Sequence, residues 1–124
     1  MADKPTTVQW LDDCEEQDYP AAQSYLGLLT KFEDAEKIVN ELKTATISKF
    51  KAKDILRASG LKPLEDTNAH VVKDYKKITK GEKISPMLLV RDTLNGKVVV
   101  ADGYHRLCAV HAYNEDEWIS CKIY

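Results

Sequence analysis

Cysteine is scarce in this 124-residue chain, and Cys14, Cys108 and Cys121 form no CxxC pair. An odd count without metal-type spacing gives no support to a disulfide framework or a structural zinc site, so the thiols are read as reduced. Positive charge is not in excess either. Eighteen Lys and Arg against 20 Asp and Glu leave a formal net charge of −2. That balance argues against wrapping nucleic acid by bulk electrostatics, since duplex affinity comes mainly from Lys and Arg on phosphates. Long apolar runs are missing, and the uncharged stretch from Ile84 to Val90 is far short of a bilayer span, so no membrane partner is expected. Met1-Ala2-Asp3-Lys4-Pro5 leads into polar sequence rather than an apolar core. No secretory signal is read there, and the cytoplasm is the expected compartment. No internal repeat or low-complexity segment is found.

What is present describes an ordinary globule: 44% hydrophobic and 31% charged residues, in a length that suits one domain. Residues 1–45 are expected to form an arm and a helical hairpin packed on the same domain as residues 46–124. The arm, Met1 to Asp18, carries an acidic cluster at Asp12, Asp13, Glu15, Glu16 and Asp18 and suits an extended segment or short strand. Pro20 fits a first helical turn, and Ala22, Tyr25, Leu26 and Leu29 follow at i, i+3, i+4 and i+7. Ala35, Ile38, Val39 and Leu42 repeat that spacing, with Glu33 and Asp34 near the positive end of a second helix. These apolar positions suit a core or a contact with a second copy of the chain.

From Thr46 to Leu64, Ile47, Phe50, Ile55 and Leu56 are read as a short strand and a turn before Ser59-Gly60. Asp66, Thr67 and Asn68 are all N-cap residues, and Val71, Val72, Tyr75 and Ile78 continue as a helix that Gly81 closes. Met87 to Val90 and Lys97 to Ala101 flank Asn95-Gly96 and predict a β-hairpin. A helix to about Asn114 follows. In the last strand, Ile119, Cys121 and Ile123 alternate with Ser120 and Lys122 as one buried face would require. The fold class expected is α/β in the broad, α+β sense.

Asp102-Gly103-Tyr104-His105-Arg106 is the most informative segment. A buried strand delivers the backbone to a glycine, and the next helix opens with unpaired N–H groups and a partial positive charge, which favours phosphate. Gly103 permits close approach of a ligand, Arg106 suits bidentate contact with phosphate oxygens, and His105 adds a donor when protonated. The plainer alternative is that Asp102 caps the helix, Gly103 turns the chain and Arg106 pairs with a surface carboxylate. Thr67 and Asn68, at another helix start, are either further phosphate donors or caps and nothing more. His105, Cys108 and His111 recur every third residue, but steps of three drift around a helix and no metal is expected there. Lys73, Lys76, Lys77, Lys80 and Lys83 make a basic stripe that either solvates a helix or touches nucleic acid.

The order hairpin, "VVVADGYHRLCAVHAYN", final strand resembles the ParB/sulfiredoxin-like superfamily over about Phe50 to Tyr124, with "ILRASGLKPLEDTNAHVVKDYKKI" matching the earlier part. The resemblance implies a small mixed sheet with packed helices and a nucleotide site, binding ATP, ADP or CTP with Mg²⁺. Sulfiredoxins place a catalytic cysteine where this chain has Tyr104, so sulfinic-acid reduction is not expected. Partition proteins continue into a helix-turn-helix, whereas this sequence ends at Tyr124, so a full partition protein is not expected either. The branch that phosphorylates free serine has a DGHTR-type turn and an acidic residue in the earlier loop. Glu65, beside Asp66, is the candidate for that acid. In this reading Glu65 and His105 are catalytic in a kinase or NTPase, while Lys62, Thr67, Asn68, Asp102, Gly103, Tyr104, His105 and Arg106 hold the nucleotide. The alternatives are a non-catalytic nucleotide- or protein-binding regulatory module and a DNA-associated protein or nuclease.

Overall fold

The computed structural model describes residues 7–124; the first six residues of the expected arm lie outside that range. The chain runs α1 (Asp18–Leu29), α2 (Phe32–Thr44), β1 (Ser48–Lys51), α3 (Ala52–Ser59), α4 (Ala69–Thr79), β2 (Met87–Asp92), β3 (Lys97–Asp102), α5 (Tyr104–Tyr113) and β4 (Trp118–Ile123). Among the described residues, five helices and a four-stranded mixed sheet make an α+β fold, the class expected. No helix there is long and apolar enough to cross a membrane.

Alternation along the strands sorts the core into two layers. Met87 and Leu89 of β2, Val98 and Val100 of β3, and Ile119 and Cys121 of β4 pack with α3, α4 and α5. Leu88, Val90 and Ala101 pack on the other side with Ala22 and Leu26 of α1 and Ala35, Val39 and Leu42 of α2. The hairpin of helices therefore lies on the sheet, and this is why the β2 run is apolar throughout. Strand order is β1-β4-β2-β3, with β2 and β4 parallel and the other pairs antiparallel. Asn95-Gly96 closes the β2–β3 hairpin as expected, with Gly96 at φ 64° and Asp92 accepting from Asn95.

Three expectations are corrected. The segment read as a short strand and turn holds β1 followed by a full helix, α3, in which Ala52, Ile55, Leu56 and Ser59 are buried at i, i+3, i+4 and i+7 and Gly60 closes the end at φ 69°. Second, β4 is central and buried on both sides: Ser120 and Lys122 are 4% and 3% exposed. The Lys122 ammonium is satisfied by donating to Tyr19 Oη (3.0 Å), the Lys43 carbonyl (3.0 Å) and Asp13 Oδ1 (2.8 Å). Third, α1 buries only part of the expected face. Asp18, Ala22 and Leu26 are buried, while Tyr25 and Leu29 are 43% and 53% exposed. The Asp18 carboxylate is held on the buried side of the helix by Ser85 and Arg106. Residues 7–11 of the arm make a single parallel bridge, Trp10 to Ile84.

Leu88 is fully buried between the sheet and the two N-terminal helices. Leu88→Ala is expected to cost about 2–5 kcal/mol, since the cavity would open between two rigid layers. Denaturant unfolding followed by two probes should retain one transition; a separate early transition for the helical hairpin would show that the two layers do not fold as one unit.

Candidate functional site

At the end of β3 the pairing with β2 slips by one residue, from Leu89↔Val100 to Leu88↔Asp102, so β3 carries one extra residue there. Such bulges re-aim the side chains that follow. Asp102 then leads into Gly103 at φ 104°, and α5 begins at the next residue with no side chain capping it. The sequence needs glycine here for two reasons. Other residues rarely adopt that φ, and a Cβ on Gly103 would lie 2.9 Å from both Arg106 Nη2 and Met87 Cγ.

The space left by Gly103 is used by Arg106, which folds back under the turn. Its Nη2 donates to Asp102 Oδ2 at 2.8 Å and to the Pro86 carbonyl at 3.4 Å, while Nη1 lies 4.0 Å from Asp18 Oδ1. The Arg106 and Asp102 side chains are each 17% exposed and that of Asp18 8%. Asp18 in turn accepts from Ser85 Oγ and from the Glu15 amide at 2.9 Å. Arg106 Nε is buried with no hydrogen-bond partner. The plain alternative of an arginine paired with a carboxylate is thus present, but it is buried and ties three elements together. Burial pushes the Asp102 carboxyl up to about 6, against the opposing pull of Arg106, and the nearby Asp18 carboxylate adds to the rise.

Beside this tie lies a polar cleft of about 180 Å³ between α4 and α5, lined by His70, Lys73, Asp74 and Lys77 from α4 and by Asp102, Gly103, His105 and Arg106 from the turn. His70, Lys73, Asp74 and Lys77 stand at i, i+3, i+4 and i+7, one face of a helix. The rings of His70 and His105 are 4.8 Å apart and tilted by 44°. Two lysines, two imidazoles and the amino end of α5 therefore converge on one small opening.

The loop before α4 is placed differently. Tyr104 Oη donates to the Lys62 carbonyl, and the Leu64 amide donates to Cys108 Sγ at 3.4 Å, so the loop is strapped along α5. Asn68 caps α4, its Oδ1 accepting from the His70 and Val71 amides at 3.0 and 3.2 Å. Thr67 Oγ1 lies 3.5 Å from Glu65 Oε2, and both residues, like Lys62, are exposed. None of Lys62, Glu65, Thr67, Asn68 and Tyr104 lines the cleft. The structure brings together Asp102, Gly103, His105 and Arg106 from the expected set and adds His70, Lys73, Asp74, Lys77 and, beneath them, Asp18. Lys73 and Lys77 were visible in the sequence as part of the basic stripe, but that they face the Asp102–Arg106 turn was not. Among the described residues no three His, Cys, Asp or Glu side chains converge as a metal site; Cys108 is buried under Leu64, and His111 Nε2 lies 3.8 Å from Glu115.

Comparison with family models, with curated proteins and with solved structures finds no match.

Two variants test this geometry. Gly103→Ala should destabilise the fold by about 1–3 kcal/mol, read from the denaturant midpoint, because a strained φ and two close contacts arrive together. For Asp102 the folded-state carboxyl titrates at about 6, above its ordinary value of 3.8. The unfolded chain therefore releases this proton first, and the stability due to Asp102 is full below about pH 4 and declines as pH rises to about 6. Asp102→Asn should flatten that part of the stability–pH curve; equal slopes in both proteins would refute the assignment.

Proposed function

We propose that this protein binds the phosphate end of a nucleotide in the cleft between α4 and α5, as a small ParB/sulfiredoxin-like protein. The observation that carries the reading is the convergence of Lys73 and Lys77 with Gly103 and His105 on one polar cleft. Cations at fixed separation, imidazole donors and a helix amino end all lower the energy of a dianion, and each does so more strongly where water is partly excluded. At about 180 Å³ the cleft is smaller than the ~300–1,000 Å³ that encloses a whole drug-sized ligand. It suits one or two phosphate groups, with sugar and base lying outside over the exposed side of α4. ATP, ADP and CTP are the ligands to try first, with Mg²⁺ as counter-charge. Three free thiols and a nucleotide ligand fit a reducing cytoplasm.

Binding without turnover is the reading favoured over phosphoryl transfer. Arg106 is engaged by Asp102 and lies close to Asp18, and Glu65 stands outside the cleft, so neither a free guanidinium nor that acid faces the bound phosphate. For transfer, the cleft offers Asp102 and Asp74 as carboxylates and His70 and His105 as imidazoles, and burial raises the Asp102 carboxyl to about 6.

Thermal unfolding with ATP, ADP, CTP and GTP, with and without Mg²⁺, tests the proposal. A ligand at a hundred times its Kd should stabilise by about 2.7 kcal/mol, and Lys73→Ala combined with Lys77→Ala should remove most of that shift without lowering basal stability. No shift with any nucleotide, or a shift that the double variant retains, would sink it. Product analysis of the nucleotide that binds then separates turnover from binding alone.

A further inference from the structure

We infer that the outer face of α1 is a two-fold interface between two copies of this chain. From Tyr19 to Thr30 no residue carries a charge, in a sequence that is 31% Asp, Glu, Lys and Arg. Large apolar side chains grouped on one exposed patch mark a surface that meets a partner. Here only one side is covered, by Ala22 and Leu26 packing on the sheet. Away from that side Leu28 is 83% exposed and, at the start of α2, Phe32 is 65% exposed, while Tyr25 and Leu29 at the flank and end of the helix are 43% and 53% exposed.

Shape points to the occupant. A surface hollow of about 490 Å³ is lined by Pro20, Gln23, Ser24, Gly27, Leu28 and Phe32. Gly27 forms part of it, and a Cβ placed there would meet nothing within 4 Å. Its φ is not in the left-handed region, so neither backbone conformation nor packing among the described residues requires glycine at this position. A glycine inside a helix lowers its stability relative to alanine. What glycine and Ser24 do provide is a shallow place where another helix can approach the backbone closely. Beside that hollow stands Leu28, the more exposed of the two large apolar residues at its rim.

Hollow and protrusion on one patch are the requirement for an isologous pair, in which each Leu28 enters the hollow of the other copy. Electrostatics agrees. Residues near a two-fold axis meet their own copies, so any charge there would face a like charge; the charge-free run is electrostatically self-complementary, whereas nothing in it would select a charged partner. The interface lies on the hairpin side of the sheet and is independent of the proposed phosphate cleft.

Sedimentation equilibrium on the full chain over a wide concentration range is the test. The wild-type chain should form a reversible dimer. Leu28→Glu, at a site too exposed to matter for folding, should be monomeric with an unchanged unfolding midpoint for the monomer. Gly27→Ala should have a more stable monomer yet associate about tenfold or more weakly, because the added methyl fills the hollow. A wild-type chain that stays monomeric throughout, including one whose face is covered by some other partner, would overturn the inference. So would a dimer that both variants retain.

Discussion

Much of this structure depends on one guanidinium. Arg106 rises from the first turn of α5, bonds back to Asp102 at the end of β3, reaches the carbonyl of Pro86 before β2 and lies beside Asp18 at the head of α1. A buried ion pair is weak grounds for claiming net stability, since desolvating three charged groups offsets most of their attraction. Its effect is on specificity. Asp18, held by Arg106 and Ser85, pins the first turn of α1 on the side that Ala22 and Leu26 bury against the sheet. Removing Arg106 alone would leave two buried carboxylates close together, a worse state than removing one carboxylate.

The same tie explains why the lysines, rather than the arginine, are the better probes of anion binding. An Arg106 substitution would disturb the fold and the cleft together and could not distinguish them. Lys73 is exposed and Lys77 half-buried on α4, and each can be shortened without opening the core. Within the proposed reading Arg106 still assists a bound anion by neutralising Asp102, whose charge would otherwise oppose phosphate across the cleft.

Local chemistry made a large part of the fold legible. Asn95-Gly96 identified the β-hairpin, Asn68 the start of α4, and the passage from Val100 through Gly103 the strand-turn-helix. Each rests on a residue whose own backbone or capping preference decides the outcome. α3 was less visible because it starts directly after β1, whose last residue Lys51 precedes it without capping it, so the strand passes into a helical period of 3.6 without punctuation. Burial of Lys122 was invisible for a different reason. Alternation correctly located Ile119 and Cys121, but only tertiary structure places Tyr19, Asp13 and the Lys43 carbonyl around the ammonium. The candidate site divides along the same line. The turn from Asp102 to Arg106 is contiguous and could be read; the face of α4 opposite it depends on how two helices pack.

Gly27 and Gly103 show how alike two such residues look in sequence and how differently the structure uses them. At Gly103 the reason is internal: φ is 104°, and Arg106 and Met87 occupy the space a Cβ would need. At Gly27 the backbone is ordinary and the space is empty. Among the described residues nothing requires glycine there, and its cost to the helix is explained by a contact from outside. The adjoining Leu28 presents the matching problem, a large apolar side chain left almost wholly in water. Within the proposed pairing one contact resolves both, and the run from Tyr19 to Thr30 brings no charge of its own to be desolvated.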